Sequence, residues 1–126
     1  MATTDQVIAH AVGDYVLQSD WMANEKARSS VAAGAHVATY MLPFLALRPS
    51  ARALAIIAGT HFLIDRFRLA RYVCWAKNWI APPGQDHEMT ATGYPADRPA
   101  WLSTWLLIIT DNILHIVINA WALGRK

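Results

Sequence analysis

Three segments of the sequence each carry a histidine and an aspartate four residues apart. The pairs are His10 with Asp14, His61 with Asp65, and Asp111 with His115. Residues at this spacing lie one above the other on the same face of a helix, so each pair presents an imidazole and a carboxylate together. A further histidine, His36, lies in the middle of another apolar stretch. Four segments are therefore predicted to carry polar, metal-binding side chains into an apolar environment.

These side chains are costly to bury, and a bound cation would compensate for the cost. An aspartate at the centre of a bilayer opposes insertion by about 2.5–3.5 kcal/mol. Imidazole nitrogen and carboxylate oxygen are ligands of zinc, manganese and iron, and a divalent ion would neutralise the carboxylates. We therefore predict a centre of one or two divalent ions, zinc first, with manganese or iron as alternatives. The predicted ligands are His10, Asp14, His36, His61, Asp65, Asp111 and His115.

Seven ligands exceed one tetrahedral site, so either two ions lie close together or some groups orient ligands or act as a base. The predicted reaction is hydrolysis of a phosphate or ester bond in a lipid or another membrane-associated substrate. The ion would lower the pKa of a bound water, and an aspartate not bound to the ion would act as base. Arg68 or Lys26 would meet an anionic group of the substrate. The predicted catalytic residues are Asp14, Asp65 and Arg68.

Two other interpretations fit the same pattern. In the first, the chain is a small non-enzymatic membrane protein of a bacterium or phage. Its His/Asp core would then be structural or would conduct protons, and the protein would act by binding a host membrane partner. In the second, the ion is purely structural and holds the helices together. For Arg68 there is also an alternative role, with Arg66 and Arg71, in contacting lipid headgroups.

The composition predicts an integral membrane protein with one domain over residues 1–126. Hydrophobic residues make up 55% of the chain and charged residues 16%, whereas soluble domains carry about 25% charged residues. Six tryptophans fit a boundary between lipid and water. A net charge of +2 is too small to indicate nucleic acid binding, and the single cysteine, Cys74, excludes an intramolecular disulfide. We expect a location in a bacterial inner membrane, and homo-oligomerisation would suit helices that bury little surface.

Apolar periodicity predicts an all-α, four-helix transmembrane bundle. The helices are expected over residues 4–25, 30–47, 51–79 and 100–123. Residues 82–99 contain four of the six prolines and two of the six glycines, which is typical of a loop between helices 3 and 4. The first residues, MATTDQ, lack the features of a removable signal peptide, so insertion is expected to depend on the helices themselves.

Several stretches resemble an uncharacterised family of small bacterial and phage membrane proteins, catalogued as a domain of unknown function. They are HAVGDYVLQSDWMANEK, HVATYMLPF, HFLIDRFRLARY and DNILHIVIN, and together they extend from His10 to Asn119. The most specific matching positions are His10, Gly13, Asp14, Tyr15, Leu17, Gln18 and Lys26. The resemblance implies a helical membrane architecture and supports the His/Asp positions. The chain is also loosely similar to membrane-bound metal-dependent hydrolases, although only Thr60-His61 matches their Ser/Thr-His signature.

Overall fold

The chain is helical in the computed structural model, which describes residues 3–124. Within these residues there are six α-helices, one π-helical segment and no strand. The segments are α1 (Thr3–Ala11), π1 (Val12–Val16), α2 (Asp20–Glu25), α3 (Ser30–Leu45), α4 (Ala51–Phe67), α5 (Ala70–Lys77) and α6 (Ala100–Gly124). The predicted helical class is confirmed. The described residues form six α-helices instead of the predicted four, because the first and third predicted helices are each interrupted.

The first predicted helix is interrupted by π1 and by a new helix start at Ser19. The π-helical turn is closed by the backbone N–H of Leu17, which donates to the carbonyl of Val12 at 3.0 Å. Ser19 then has extended backbone angles, and its hydroxyl accepts a hydrogen bond from the N–H of Met22, as an N-cap does. Single π-helical turns are rare and concentrate at functional sites, and Asp14 lies in this one.

The third predicted helix ends at Phe67 because Arg68 has a φ of +53°. This left-handed conformation is unfavourable for a residue with a Cβ and is incompatible with a continuing right-handed helix. The chain resumes as α5 at Ala70. What the sequence predicts as one long helix is therefore two helices that belong to different parts of the molecule.

The chain divides into two compact units. The first contains the described residues up to Phe67 and those from His115 onward, and the second is Arg68–Leu114. The prediction of one domain stays a prediction. In the second unit, residues 82–99 form a loop, as predicted. Trp75 of α5 and Asn78, which directly follows α5, donate side-chain hydrogen bonds to the loop carbonyls of His87 and Gly93. Cys74 is fully buried there.

In the first unit, polar residues of the predicted site lie within the buried faces of α3 and α4. The buried residues are Ala32, Ala33, His36, Tyr40 and Phe44 on α3, and Ala53, Ile57, His61, Ile64 and Asp65 on α4. Their spacing of three or four residues marks one face of each helix. The hydroxyls of Ser29 and Ser50 accept hydrogen bonds from backbone N–H groups in the first turns of these helices, which fixes where each face begins.

Among the described helices, α6 is long and apolar enough to cross a membrane. The apolar helix α3 has only 16 residues, whereas a span needs about 20. The structure therefore does not support a transmembrane bundle of four helices. Few residues of α6 are buried, and the large apolar side chains of Trp101, Trp105, Ile113, Val117 and Trp121 are exposed.

Candidate metal centre

Six of the seven predicted ligands meet in the first unit. They are His10 of α1, Asp14 of π1, His36 of α3, His61 and Asp65 of α4, and His115 of α6. Each is at most 7% exposed. Because five separate helical segments supply these side chains, their convergence is a property of the packing between segments. We refer to these six residues as the His/Asp cluster.

The centre of the cluster is formed by the Nε2 atoms of His36 and His61, which lie 2.9 Å apart. Asp65 Oδ2 is 3.2 Å from each of these nitrogens. Asp14 Oδ1 is 3.1 Å from that of His36 and 3.3 Å from that of His61. Adjacent ligands with metal bonds of about 2.0–2.1 Å are themselves about 2.9–3.4 Å apart. The cluster atoms therefore have the separations of ligands around one divalent ion.

Hydrogen bonding alone leaves part of the cluster unsatisfied. Asp14 Oδ1 is buried and makes no hydrogen bond among the described residues, since its contacts with the imidazoles are short but poorly aligned. An unsatisfied buried charge is more costly than the roughly 1–3 kcal/mol of an unsatisfied neutral group. The Nδ1 atoms of His36 and His61 also have no hydrogen-bond partner there, so both rings make their polar contacts through Nε2. A cation near the Nε2 atoms would satisfy this oxygen, either directly or through a water bound to the cation.

The electrostatic balance of the cluster requires positive charge. Burial raises the pKa of Asp14, but contacts with His36 and His61 lower it more, so this pKa lies below its ordinary value. Burial likewise raises the pKa of Asp65, while contacts with His115 and His36 hold it well below that value. Burial lowers the pKa of His36, and the two carboxylates then raise it above 6.5. Both aspartates are therefore anionic, and positive charge from protonated side chains or from a metal ion must compensate them.

Further side chains contact the remaining carboxylate positions. His115 Nε2 is 3.2 Å from Asp65 Oδ1, and His10 Nε2 is 3.6 Å from Asp14 Oδ2. Lys26 forms an ion pair with Asp65, with its Nζ 2.8 Å from Oδ2. The Lys26 side chain is 21% exposed, more than any member of the cluster. Lys26 thus connects the buried carboxylates with the protein surface.

Tyr40, Asn119 and Gly13 also belong to the site, although none of them is among the predicted ligands or catalytic residues. The Tyr40 hydroxyl is 2.9 Å from His10 Nδ1 and accepts a hydrogen bond from Asn119 Nδ2 at 2.8 Å. Gly13 packs so closely against the Tyr40 ring that a Cβ would lie 2.5 Å from it. The available signal for Tyr40 and Asn119 is their spacing, since each follows a histidine of the cluster by four residues.

Two predicted site residues lie in the second unit. Asp111 is half-buried and precedes His115 on α6 by four residues. Arg68 donates a hydrogen bond from its guanidinium to the carbonyl of Ala91 at 2.9 Å. The roles predicted for these two residues stay predictions. His87, also in this unit, stacks against Trp79 with ring centroids 3.8 Å apart.

Comparison with known proteins identifies a family but no function. A sequence profile described as "Protein of unknown function (DUF3307)" matches residues 3–123. The match includes every residue of the His/Asp cluster as well as Lys26, Tyr40 and Asn119. No curated protein and no solved structure matches the chain.

Proposed function

We propose that this chain, a member of the DUF3307 family of proteins of unknown function, is a metal-dependent hydrolase with a divalent ion at the His/Asp cluster. One observation carries the proposal. The ligand atoms of His36, His61 and Asp65 form a triangle with sides of 2.9, 3.2 and 3.2 Å. Two imidazoles and one carboxylate are a ligand set of catalytic zinc sites, which keep a further position open for water or substrate.

The remaining residues of the site have complementary roles in this proposal. A divalent ion supplies Lewis-acid activation of water and substrate. Asp14 Oδ1, which lies beside the same two nitrogens and has no hydrogen-bond partner among the described residues, accepts the proton of the attacking water. Lys26, paired with Asp65 and partly exposed, attracts the anionic group of a phosphate ester. Zinc suits this ligand set, as do manganese and iron.

The substrate class follows from a membrane location, which α6 supports. Trp101 and Trp121 are exposed, and 20 helical residues at 1.5 Å each place them about 30 Å apart, the thickness of the hydrocarbon core of a bilayer. Tryptophan is enriched at both membrane interfaces. We therefore propose that α6 spans a membrane, in a bacterium the inner membrane, and that the substrate is a lipid or another membrane-associated phosphate or carboxylate ester.

Cysteine labelling in reconstituted vesicles tests the membrane location. The background is Cys74→Ala, because Cys74 is the single cysteine of the chain. A cysteine in place of the exposed Ile113 should be protected from a membrane-impermeant maleimide, whereas one in place of Asp97 should react. Equal labelling of both positions in intact vesicles would exclude a span by α6.

Two isosteric variants test the metal centre and separate ligand from base. Wild-type protein should retain close to one equivalent of zinc, manganese or iron by elemental analysis and hydrolyse a chromogenic phosphodiester or acyl ester. Asp65→Asn should lose the ion and the activity together. Asp14→Asn should keep most of the ion but lose about 10²–10⁴-fold in kcat. Wild-type protein without stoichiometric metal, after supplementation with each ion in turn, would refute the proposal.

A specific observation favours a second candidate, a metal-free polar core. The two buried carboxylates face Lys26 and His36, and the pKa of His36 is raised, so protonation of His36 would balance the carboxylates without an ion. Buried histidines and acids of this kind hold helices in register or relay protons. This candidate predicts no bound metal, no hydrolysis, and an unchanged melting temperature after treatment with a chelator.

A further inference from the structure

Tyr40 lies where three ligand-bearing segments of the site meet. Its side chain is fully buried, and it contacts His61 of α4, His10 of α1 and Gly13 of π1. We propose that Tyr40 is the positioning residue of the metal centre, acting on the ligand His61 through its ring and on the base Asp14 through its hydroxyl and His10. The inference rests on the proposed function, because it assigns the device that orients the same ligand and base.

The ring of Tyr40 fixes the orientation of His61. The two rings are stacked, with centroids 3.7 Å apart and planes inclined by 20°. Since the Nδ1 of His61 has no hydrogen-bond partner among the described residues, hydrogen bonding at that atom does not hold the imidazole. Metal-binding histidines are usually oriented by such a bond. At His61 the stacked ring of Tyr40 orients the imidazole instead, so that Nε2 points towards His36 and Asp65.

The hydroxyl of Tyr40 determines which ring nitrogen of His10 carries the hydrogen. Asn119 Nδ2 can only donate, so the hydroxyl oxygen accepts from Asn119 at 2.8 Å. Its own hydrogen is then available for His10 Nδ1, 2.9 Å away. With Nδ1 as acceptor, neutral imidazole carries its hydrogen on Nε2. That nitrogen faces Asp14 Oδ2 at 3.6 Å, which leaves Oδ1 directed at the centre of the cluster.

The position of Tyr40 is itself fixed by further neighbours. Gly13 leaves room for the ring edge, because a Cβ there would lie 2.5 Å from Tyr40 Cδ2. Phe44 packs near the ring at a centroid distance of 5.1 Å. A ring with these close neighbours and a hydrogen-bonded hydroxyl has one orientation. Tyr40 can therefore fix the positions of His61 and Asp14 at the same time.

The variant Tyr40→Phe tests the hydroxyl and keeps the stack. We expect this variant to fold with an unchanged helical circular dichroism spectrum. It should bind zinc about 10-fold more weakly than wild type in a competition titration with a chromophoric chelator. Its kcat should fall by a larger factor than the factor by which its KM changes. The visible absorption spectrum of the cobalt-substituted protein should shift. The matched control is Tyr94→Phe in the second unit, whose hydroxyl has no hydrogen-bond partner among the described residues. It should leave the zinc affinity and the cobalt spectrum unchanged.

Two further variants make the result decisive. Adding Tyr40→Phe to His10→Ala should change zinc affinity and kcat by less than 2-fold, because the hydroxyl acts through His10. Asn119→Leu, which removes the donor to the same hydroxyl, should reproduce the direction of the Tyr40→Phe effect if that variant does not fold. Zinc affinity, kcat and cobalt spectrum equal to wild type in both Tyr40→Phe and Asn119→Leu would overturn the inference while leaving the metal centre intact. Wild-type protein without metal would overturn both.

Discussion

Gly13 is the position at which a single methyl group should disturb the site most. In Gly13→Ala the new Cβ would lie 2.5 Å from Tyr40 Cδ2 and 3.1 Å from the Tyr40 carbonyl oxygen, whereas carbon atoms in contact are about 3.5–4.0 Å apart. The ring cannot turn away, since it stacks on His61 and its hydroxyl is hydrogen-bonded. The segment π1 must therefore move away from α3 by about 1 Å and carry Asp14 with it.

This displacement should affect both stability and activity. Overpacking of a core costs about 1–3 kcal/mol, which for a chain of this length lowers the melting temperature by roughly 3–12 °C. A catalytic group misplaced by about 1 Å can cost about 100-fold in rate. Differential scanning fluorimetry and the ester-hydrolysis assay would measure the two effects on the same sample.

The control for this prediction is Gly34→Ala on α3. A Cβ at Gly34 meets no atom within 4 Å, and replacing a helical glycine by alanine stabilises by about 0.4–1 kcal/mol. The melting temperature of Gly34→Ala should therefore equal or exceed that of wild type. If Gly13→Ala melts within 1 °C of wild type and keeps its activity, the packing of Tyr40 against π1 does not position Asp14.

Two further predictions concern charge. In Lys26→Met, KM for an anionic phosphodiester should rise about 10-fold, since a hydrogen bond to a charged group contributes about 1.5–3 kcal/mol. The KM for a neutral acyl ester should stay constant. Equal effects on both substrates would contradict a role of Lys26 in anion binding. The effect of chelation should depend on pH. Because the pKa of His36 is raised, its proton stabilises metal-free protein fully below about pH 6.5, and this stabilisation is lost as the pH rises through the raised pKa. The fall in melting temperature after chelation should thus be larger at pH 8.5 than at pH 6. An equal or larger fall at pH 6 would contradict the idea that the ion replaces the proton of His36.

Local geometry explains which parts of the site the sequence could predict. Residues four apart on a helix share a face whatever the rest of the chain does, and the pairs His10–Asp14 and His61–Asp65 are indeed in contact, at 3.6 and 3.2 Å. The loop of residues 82–99 follows in the same way from proline and glycine chemistry. The helical interruptions at π1 and Arg68 could not be predicted, because neither segment contains proline and both depend on tertiary packing.

The sequence is sufficient to predict a helical protein, an apolar α6, and imidazoles and carboxylates within apolar helical segments. These properties depend on composition and on spacings of three or four residues. The contacts of His36 with His61, 25 residues apart, and of Asn119 with Tyr40, 79 residues apart, are visible only in the folded chain. Such contacts depend on how helices pack, and a spacing along one helix carries no information about the neighbouring helix. The close approach at Gly13 that brings Asp14 to the cluster is of the same kind.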